Sequence, residues 1–182
     1  MKVIALVQAR LGSVRLPEKV LKQIADKPLI ELLLTRLSRS TEIDEIVVAT
    51  SEEPLNNKLQ LFVESLGFQC YRGSEKDVLK RFYESAKHFE ADVVVRITGD
   101  CPLIDARLVD QCIQGFRDAN VDYFSNIDPA TFPDGLDVEV ISFSSLERAN
   151  AEAVSSFDRE HVTTYIRNSN NFLKSSIQCS ED

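Results

Sequence analysis

The run VIALV at residues 3–7 is the first of three continuous apolar segments that decide the fold. IVVA at residues 46–49 and VVVRI at residues 93–97 follow at similar intervals. Because these runs do not alternate with polar residues, each is typical of a strand that is covered on both faces. Helical patterns separate them, and strands that alternate with helices predict an α/β fold, a three-layer sandwich around a mainly parallel sheet.

Four amphipathic patterns lie between or after these runs, and each predicts a helix. Pro28 suits the first position of the first helix, and Gly67 is a typical C-terminal cap for the second. The apolar positions at helical spacing are Ile30, Leu33, Leu34 and Leu37, then Leu55, Leu59, Phe62, Val63 and Leu66, then Val78, Leu79, Phe82, Tyr83 and Ala86, and finally Leu108, Val109, Cys112, Ile113 and Phe116.

The remaining elements are shorter. Three further strands are expected, at residues 69–72, 121–124 and 136–141. The last of these alternates more than the others, which places it near a sheet edge or in an antiparallel pair. Ser144 and Glu147 form a capping-box pattern for a short helix, and a final helix is expected over about residues 158–167.

Composition and charge exclude several protein classes. The chain has 182 residues, of which 43% are hydrophobic and 27% charged, and these values are typical of one soluble globular domain over residues 1–182. A formal net charge of −8 opposes non-specific binding to nucleic acid or to an anionic membrane. The run at residues 3–7 is too short for a signal peptide or a membrane span, so we expect a cytoplasmic protein. The four cysteines lack zinc-binding spacing and favour reduced thiols.

A basic loop, QARLGSVRLPEK at residues 8–19, follows the first predicted strand. In open α/β sheets, ligands bind at the carboxyl ends of the strands, and this loop begins at such an end. Guanidinium and ammonium groups there suit a polyphosphate, glycine lets the backbone approach it, and serine adds a hydroxyl donor. The alternative is a solvated basic turn, since the loop matches neither the Walker nor the dinucleotide-binding pattern. The residues concerned are Arg10, Gly12, Ser13, Arg15 and Lys19.

A second polar segment, TGDCPLID at residues 98–105, follows the third long run. Asp100 at the strand end is well placed to hold Mg²⁺ beside substrate phosphates, and Gly99 leaves room for them. Asp100 is also consistent with a simple turn, because Gly-Asp-x-Pro is a turn sequence. Asp105 is better explained as a helix N-cap than as a metal ligand.

These segments together resemble a known enzyme family. The pattern QAR-x-x-S-x-R-L-P-x-K at residues 8–19, with GDCP at residues 99–102, resembles the cytidylyltransferases that activate 3-deoxy-2-ulosonic acids, namely the CMP-KDO and CMP-acylneuraminate synthetases. FPDGLDVE at residues 132–139 and REHVTTYI at residues 159–166 are most similar to the spore coat polysaccharide biosynthesis protein F branch. The resemblance covers nearly the whole chain.

The resemblance implies a Rossmann-like nucleotide-diphospho-sugar transferase fold and a CTP-dependent reaction. In that reaction a hydroxyl of a sugar acid attacks the α-phosphorus of CTP, pyrophosphate leaves, and Mg²⁺ is the cofactor. Catalytic roles fall on Arg10, Lys19 and Asp100, with Asp100 as the metal ligand. The implied nucleotide contacts are Ala9, Arg10, Gly12, Ser13, Arg15, Lys19, Thr50, Ser51, Arg72, Gly73, Ser74 and Gly99. The implied sugar contacts are Asp134, Asp137, Glu139, Arg159 and His161.

Several of these assignments have structural alternatives. The segments at residues 50–51 and 72–74 are equally consistent with ordinary loops, and the acidic residues at 134–139 with a polar edge strand. His161 is consistent with helix packing, although Arg159 beside it supplies the cation that a carboxylate substrate needs. For the chain as a whole, the alternatives are a nucleotidyltransferase for another base or a sugar phosphate, and a non-catalytic nucleotide-binding module.

Two departures from the family pattern affect these expectations. Position 18 is usually glycine and is Glu18 here, which predicts backbone strain if φ is positive, and a carboxylate beside Lys19. The family's later strand and helix, with a T-V-D-x-P-E-D-like motif that completes the metal site, have no counterpart in these 182 residues. We therefore expect weak binding of CTP and Mg²⁺ and slow turnover, unless Asp137 or a partner subunit supplies the second carboxylate. The uncovered sheet edge favours a homodimer.

Overall fold

The computed structural model describes residues 1–13 and 16–179, and nine strands and seven α-helices lie in these ranges. The strands are β1 (Val3–Gln8), β2 (Gln23–Ile24), β3 (Lys27–Pro28), β4 (Glu45–Ser51), β5 (Gln69–Gly73), β6 (Val93–Thr98), β7 (Tyr123–Ser125), β8 (Glu139–Ser142) and β9 (Lys174–Ser176). The helices are α1 (Leu29–Leu37), α2 (Asn57–Ser65), α3 (Val78–His88), α4 (Ala106–Ala119), α5 (Phe143–Glu152), α6 (Ser156–His161) and α7 (Thr164–Asn168).

Seven of the described strands form one sheet in the order β5-β4-β1-β6-β8-β7-β9. The pairs of β1 with β4 and β6, of β4 with β5, and of β7 with β9 are parallel, which confirms the prediction of a mainly parallel sheet. β8 runs antiparallel to both of its neighbours, β6 and β7. Of the two alternatives for this strand, antiparallel pairing is therefore correct, and the strand lies inside the sheet.

Helices cover both faces of the sheet, as the continuous apolar runs predict. Val3, Ala5 and Val7 pack into a core with α1, α2 and α4, whereas Ile4 and Leu6 pack on the opposite face with α3, α5 and α7. All five side chains of this run are fully buried, which explains why the strand has no polar alternation. Burial of each Val, Ile or Leu side chain in this run contributes about 1.5–3 kcal/mol relative to an exposed side chain. The three-layer sandwich is confirmed.

Other helix predictions are largely correct at their ends. Gly67 follows α2 with a φ of +85°, as a C-terminal cap requires. The carboxylate of Asp105 accepts a hydrogen bond from the Arg107 backbone N–H and caps α4, as expected. Pro28, however, precedes α1 as its N-cap residue and is not its first helical residue.

The later elements differ more from the sequence predictions. Ser142, not Ser144, is the N-cap residue of α5, because its hydroxyl accepts the Ser145 backbone N–H, so the chain enters this helix two residues earlier than the capping-box pattern predicts. The expected final helix is two helices, α6 and α7, separated at Val162, where φ is +63°. The four cysteines are free, and no helix in the described ranges is long and apolar enough to cross a bilayer.

Candidate active site

The basic loop at residues 8–19 and the polar segment at residues 98–105 lie at the same edge of the sheet. The carboxyl ends of β5, β4, β1 and β6 lie at this edge because these strands are mutually parallel. β8 runs in the opposite direction and pairs its first residue, Glu139, with Arg96 near the end of β6. Asp137, just before β8, therefore reaches the same edge as Asp100, just after β6.

Gly99 joins the ends of the two central strands. Its backbone N–H donates a hydrogen bond to the Gln8 carbonyl oxygen at 2.8 Å. A Cβ at this position would lie 2.7 Å from that oxygen and 2.8 Å from the Cβ of Ala9, closer than real side chains approach. Glycine is therefore required for the segments that carry Arg10 and Asp100 to lie against each other.

Lys19 and Asp100 meet at this edge although they are 81 positions apart in the sequence, with Nζ 2.6 Å from Oδ2. The two side chains are 34% and 47% exposed, so both are accessible to a ligand. Burial opposes the ionisation of Asp100, but the hydrogen bond and the charge of Lys19 outweigh it and hold the pKa of this carboxyl below its ordinary value. The pair presents an ammonium and a carboxylate side by side, as a site for phosphate and a divalent cation requires.

A strained turn places Lys19. Glu18 has a φ of +54° and a ψ of +26°, so it occupies the left-handed region, which is the condition under which the sequence predicts backbone strain. Its backbone N–H donates to the Leu11 carbonyl oxygen at 3.1 Å, and this hydrogen bond joins the two ends of the basic loop. The Glu18 carboxylate accepts a hydrogen bond from Nζ of Lys58 at 2.7 Å. It therefore does not compete with Asp100 for the ammonium group of Lys19. The predicted contacts of Arg15 lie outside the described residues.

The rest of the basic loop is held by neighbouring turns. Nη1 of Arg10 donates to Oε1 of Glu75, which follows β5, at 2.5 Å. The Leu11 backbone N–H donates to Oδ1 of Asn56 at 2.8 Å, and Nδ2 of Asn56 donates to the Ser51 hydroxyl at 2.7 Å. The hydroxyl of the fully buried Ser51 thus orients Asn56, which in turn holds the backbone of the loop.

Most of the predicted nucleotide contacts at the ends of β4 and β5 are engaged within the protein, whereas the buried Thr50 hydroxyl has no hydrogen-bond partner among the described residues. The Arg72 guanidinium donates to the carbonyl oxygens of Ser51, Glu52 and Glu53 and to the Asn57 side chain, so its donors are occupied by the turn after β4. Three further contact candidates are placed as follows: Thr50 is fully buried, Gly73 lies against Arg81, and the Ser74 hydroxyl accepts the Asp77 backbone N–H at 3.1 Å.

The acidic segment before β8 divides into buried and accessible carboxylates. Glu139 is buried, forms an ion pair with Arg96, and accepts a hydrogen bond from the Tyr123 hydroxyl at 2.7 Å. Burial and the charges of Glu139 and Asp134 raise the pKa of Asp137 despite Arg96, and Asp100 adds to this effect. The charge of Asp100 is thus one of several that disfavour ionisation of Asp137.

The two carboxylates are of the chemical type that binds a divalent cation, because carboxylate oxygens are the protein ligands that Mg²⁺ uses beside substrate phosphates. A cation there would offset the mutual repulsion of Asp100 and Asp137. No group of three or more His, Cys, Asp or Glu side chains that could hold a metal occurs among residues 1–13 and 16–179. The remaining ligands would therefore be phosphate oxygens and water.

The remaining sugar candidates lie on and near α6. Arg159 donates through Nη2 to the Asp77 carboxylate at 2.7 Å and through Nη1 to the Asn150 carbonyl oxygen at 2.6 Å, so it ties α6 to α5 and to the start of α3. His161 is exposed, and its ring centroid lies 4.3 Å from that of Phe157.

With this geometry established, comparison with known proteins identifies the family. A cytidylyltransferase family model matches residues 4–181. The chain belongs to the cytidylyltransferase family. This membership confirms both the resemblance predicted from the loop motifs and the expectation of a nucleotidyltransferase enzyme.

Individual relatives support the assignment of this chain to the cytidylyltransferase family. It is 34% identical to the spore coat polysaccharide biosynthesis protein SpsF of Bacillus subtilis over 171 residues, which cover 91% of this chain and 70% of SpsF. It is 32% identical to a 3-deoxy-manno-octulosonate cytidylyltransferase of Pelobacter propionicus over 120 residues, 65% of this chain and 46% of that protein. A solved cytidylyltransferase from Leptospira borgpetersenii matches with a TM-score of 0.95 at 33% identity, covering 100% of this chain and 78% of that one.

Several residues that shape the site carry weak signals in the sequence. Asn56 follows Pro54 in a turn after β4, and Glu75 lies between a serine and a lysine, so neither stands out. Arg81 is three residues after Val78 on the apolar stripe of α3, and a cation on a buried stripe is a signal that could have found it.

Proposed function

We propose that this cytidylyltransferase transfers CMP from CTP to a hydroxyl of a sugar acid, with release of pyrophosphate, in the biosynthesis of a surface or spore coat polysaccharide. The observation that carries the proposal is the contact of Lys19 with Asp100 at the carboxyl edge of the sheet. Similarity to SpsF and to a 3-deoxy-manno-octulosonate cytidylyltransferase supports the pathway and the acceptor class. A cytoplasmic location and a homodimer remain predictions from the sequence.

The basic loop binds the triphosphate in this proposal. Lys19 turns from Asp100 to a phosphate oxygen, and Arg10 contributes a charge-assisted hydrogen bond from its exposed guanidinium. Arg15 is predicted to add a third cation. Phosphoryl transfer needs mainly positioning and charge stabilisation, and closely placed cations supply both.

Asp100 and Asp137 would hold Mg²⁺ between them. When bound, the cation neutralises phosphate charge and helps to align the triphosphate with the acceptor. The acceptor lies toward the acidic segment and α6 in this proposal, where Asp134 and His161 are exposed. Glu139 and Arg159 serve this side indirectly, because their charged groups are paired with Arg96 and Asp77.

The test is a pyrophosphate-release assay in which CTP, ATP, GTP and UTP are each combined with Mg²⁺ and a panel of sugar acids. We expect release with CTP and at least one sugar acid. Release only with another nucleotide or with a sugar phosphate would indicate a different nucleotidyltransferase. Nucleotide binding without release would indicate a non-catalytic module.

Two variants link the activity to the site. Losing one charge-assisted contact costs about 1.5–3 kcal/mol, so Lys19→Ala is expected to lower kcat/KM for CTP by about tenfold to a hundredfold. Asp100→Asn keeps the side-chain shape and removes the charge, so turnover should collapse and its dependence on Mg²⁺ should weaken while the fold survives. Lys27→Ala is the matched control, since Lys27 is a similarly exposed lysine that pairs with Glu31.

A further inference from the structure

Arg81 is a fully buried arginine that the proposed function leaves unexplained. Its Nη1 donates to the Ser74 carbonyl oxygen, while Nε and Nη2 have no hydrogen-bond partner among the described residues. A buried guanidinium is costly unless it is paired or retained for a purpose. The residues around Arg81 indicate why it is retained.

The end of β5 is built around this side chain. A Cβ on Gly73 would lie 3.0 Å from Cγ of Arg81 and 3.3 Å from the Tyr71 ring. The aliphatic part of the Arg81 side chain thus packs against the end of β5, and glycine there leaves room for it. Burial lowers the pKa of Arg81 to about 10, the charges of Glu75 and Asp77 oppose this effect, and the charge of Arg10 adds to it. Arg81 therefore remains a cation at neutral pH, with Glu75 as its strongest counter-charge.

Glu75 pairs with Arg10 and feels the charge of Arg81. Its Oε1 accepts from Nη1 of Arg10, while its Oε2 is buried and has no hydrogen-bond partner among the described residues. The same Oε1 lies 3.8 Å from where a Cβ on Gly12 would stand, so the carboxylate borders the basic loop itself. The exposed Arg10 thus pairs directly with this carboxylate, whereas the buried Arg81 interacts with it through its charge and forms no ion pair with it.

The segment that carries Glu75 is fixed at both ends. At one end the Ser74 carbonyl oxygen accepts from Arg81. At the other end Asp77 caps α3 by accepting the Lys80 backbone N–H at 2.9 Å, and it also binds Arg159. Glu75 is therefore presented from a rigid turn, which a group needs if it is to orient another side chain.

We infer that Glu75 is a positioning residue that orients the Arg10 guanidinium toward the triphosphate of the nucleotide, from a turn that Arg81 anchors at the Ser74 carbonyl oxygen. This inference rests on the proposed function, because it takes Arg10 as a phosphate contact. Glu75 engages Nη1 of Arg10, which holds the guanidinium beside the basic loop and leaves its second terminal nitrogen for a phosphate oxygen. Without the carboxylate, the like charges of Arg10 and Arg81 repel, and Arg10 turns away from the loop.

The experiment compares Glu75→Ala and Glu75→Gln with wild type in the pyrophosphate-release assay, each variant also combined with Arg10→Ala. We expect Glu75→Ala to raise KM for CTP by about tenfold with a smaller change in kcat. Glu75→Gln should raise KM less, since its amide oxygen still accepts from Arg10. In the Arg10→Ala background, neither change at Glu75 should raise KM further, because the residue acts through Arg10.

Glu84→Ala is the matched control, since Glu84 pairs with Lys80 on the exposed side of α3. Fold integrity is checked by circular dichroism, and Glu75→Gln alone decides the test if Glu75→Ala fails to fold. An unchanged KM in the Glu75 variants, or an increase that persists in the Arg10→Ala background, overturns the inference. Wild-type protein that releases no pyrophosphate with any nucleotide overturns the proposed function itself, so the two failures are distinguishable.

Discussion

Replacement of Gly99 by alanine is the sharpest test of how the fold builds the site. The added Cβ would lie 2.7 Å from the Gln8 carbonyl oxygen and 3.2 Å from Cα of Ala9. Both are backbone atoms, so no side-chain rotation relieves the overlap. The ends of β1 and β6 must separate instead.

The size of the effect follows from these distances. Ordinary contact begins at 3.4 Å, so the two segments must separate by about 0.7 Å. Overpacking of this kind costs about 1–3 kcal/mol, and weakening the 2.8 Å hydrogen bond from Gly99 to Gln8 adds about 1 kcal/mol. A domain with about 5–15 kcal/mol of stability remains folded. Because misplacement by about 1 Å can reduce an enzyme's rate a hundredfold, we expect kcat/KM for CTP to fall by about tenfold to a hundredfold.

The assay pairs urea denaturation with pyrophosphate release. Gly115→Ala in α4 is the matched control, since its Cβ would meet the Phe124 ring at 2.5 Å. There the helix gains about 0.8–1.0 kcal/mol of propensity, which offsets part of the overpacking. We expect Gly115→Ala to change stability but not KM for CTP. If Gly99→Ala keeps wild-type kcat/KM, or loses only as much as its stability loss explains, the role assigned to this strand junction is wrong.

Three further predictions concern stability and reactivity. Glu18→Gly should be about 1 kcal/mol more stable to urea than Glu18→Ala, because a φ of +54° penalises any Cβ, and equal stabilities would contradict this. Asp105→Ala should lower the free energy of unfolding by about 1 kcal/mol. Arg107 lowers the pKa of Asp105, so this difference should shrink as pH falls through that pKa; a pH-independent difference would refute it. At about pH 8, Cys70 and Cys112 should resist iodoacetamide until the protein unfolds, because burial raises the pKa of each to about 12; mass spectrometry of the native protein checks this.

The sequence predicts the parts of this molecule that depend on local pattern. β1, β4 and β6 are continuous apolar runs because both of their faces are covered. Burial on both faces is therefore directly visible in the sequence as an absence of alternating polar residues. The basic loop and Asp100 follow such runs, so their place at the carboxyl edge could be expected. The contact between Lys19 and Asp100 could not, because it depends on which strands become neighbours.

Cations are harder to assign than strands. Arg72 and Arg159 have the chemistry of ligand contacts, yet one satisfies the carbonyl oxygens of the turn after β4 and the other ties α6 to Asp77. A guanidinium binds any well-placed oxygen, and only the fold determines which oxygens are near. Glu75 shows the converse, since its importance comes entirely from the arginines that the fold places beside it.

The direction of β8 explains how one sheet edge can supply two carboxylates to the proposed metal site. In a wholly parallel sheet, a residue just before a strand would lie at the opposite edge from one just after its neighbour. Because β8 is antiparallel to β6, Asp137 before it and Asp100 after β6 meet at the same edge. Glu139 begins β8 in an ion pair with Arg96, which fixes the register two residues beyond Asp137. The buried pair thus holds the accessible carboxylate in place, and the single antiparallel strand between β6 and β7 gives the site its second acid.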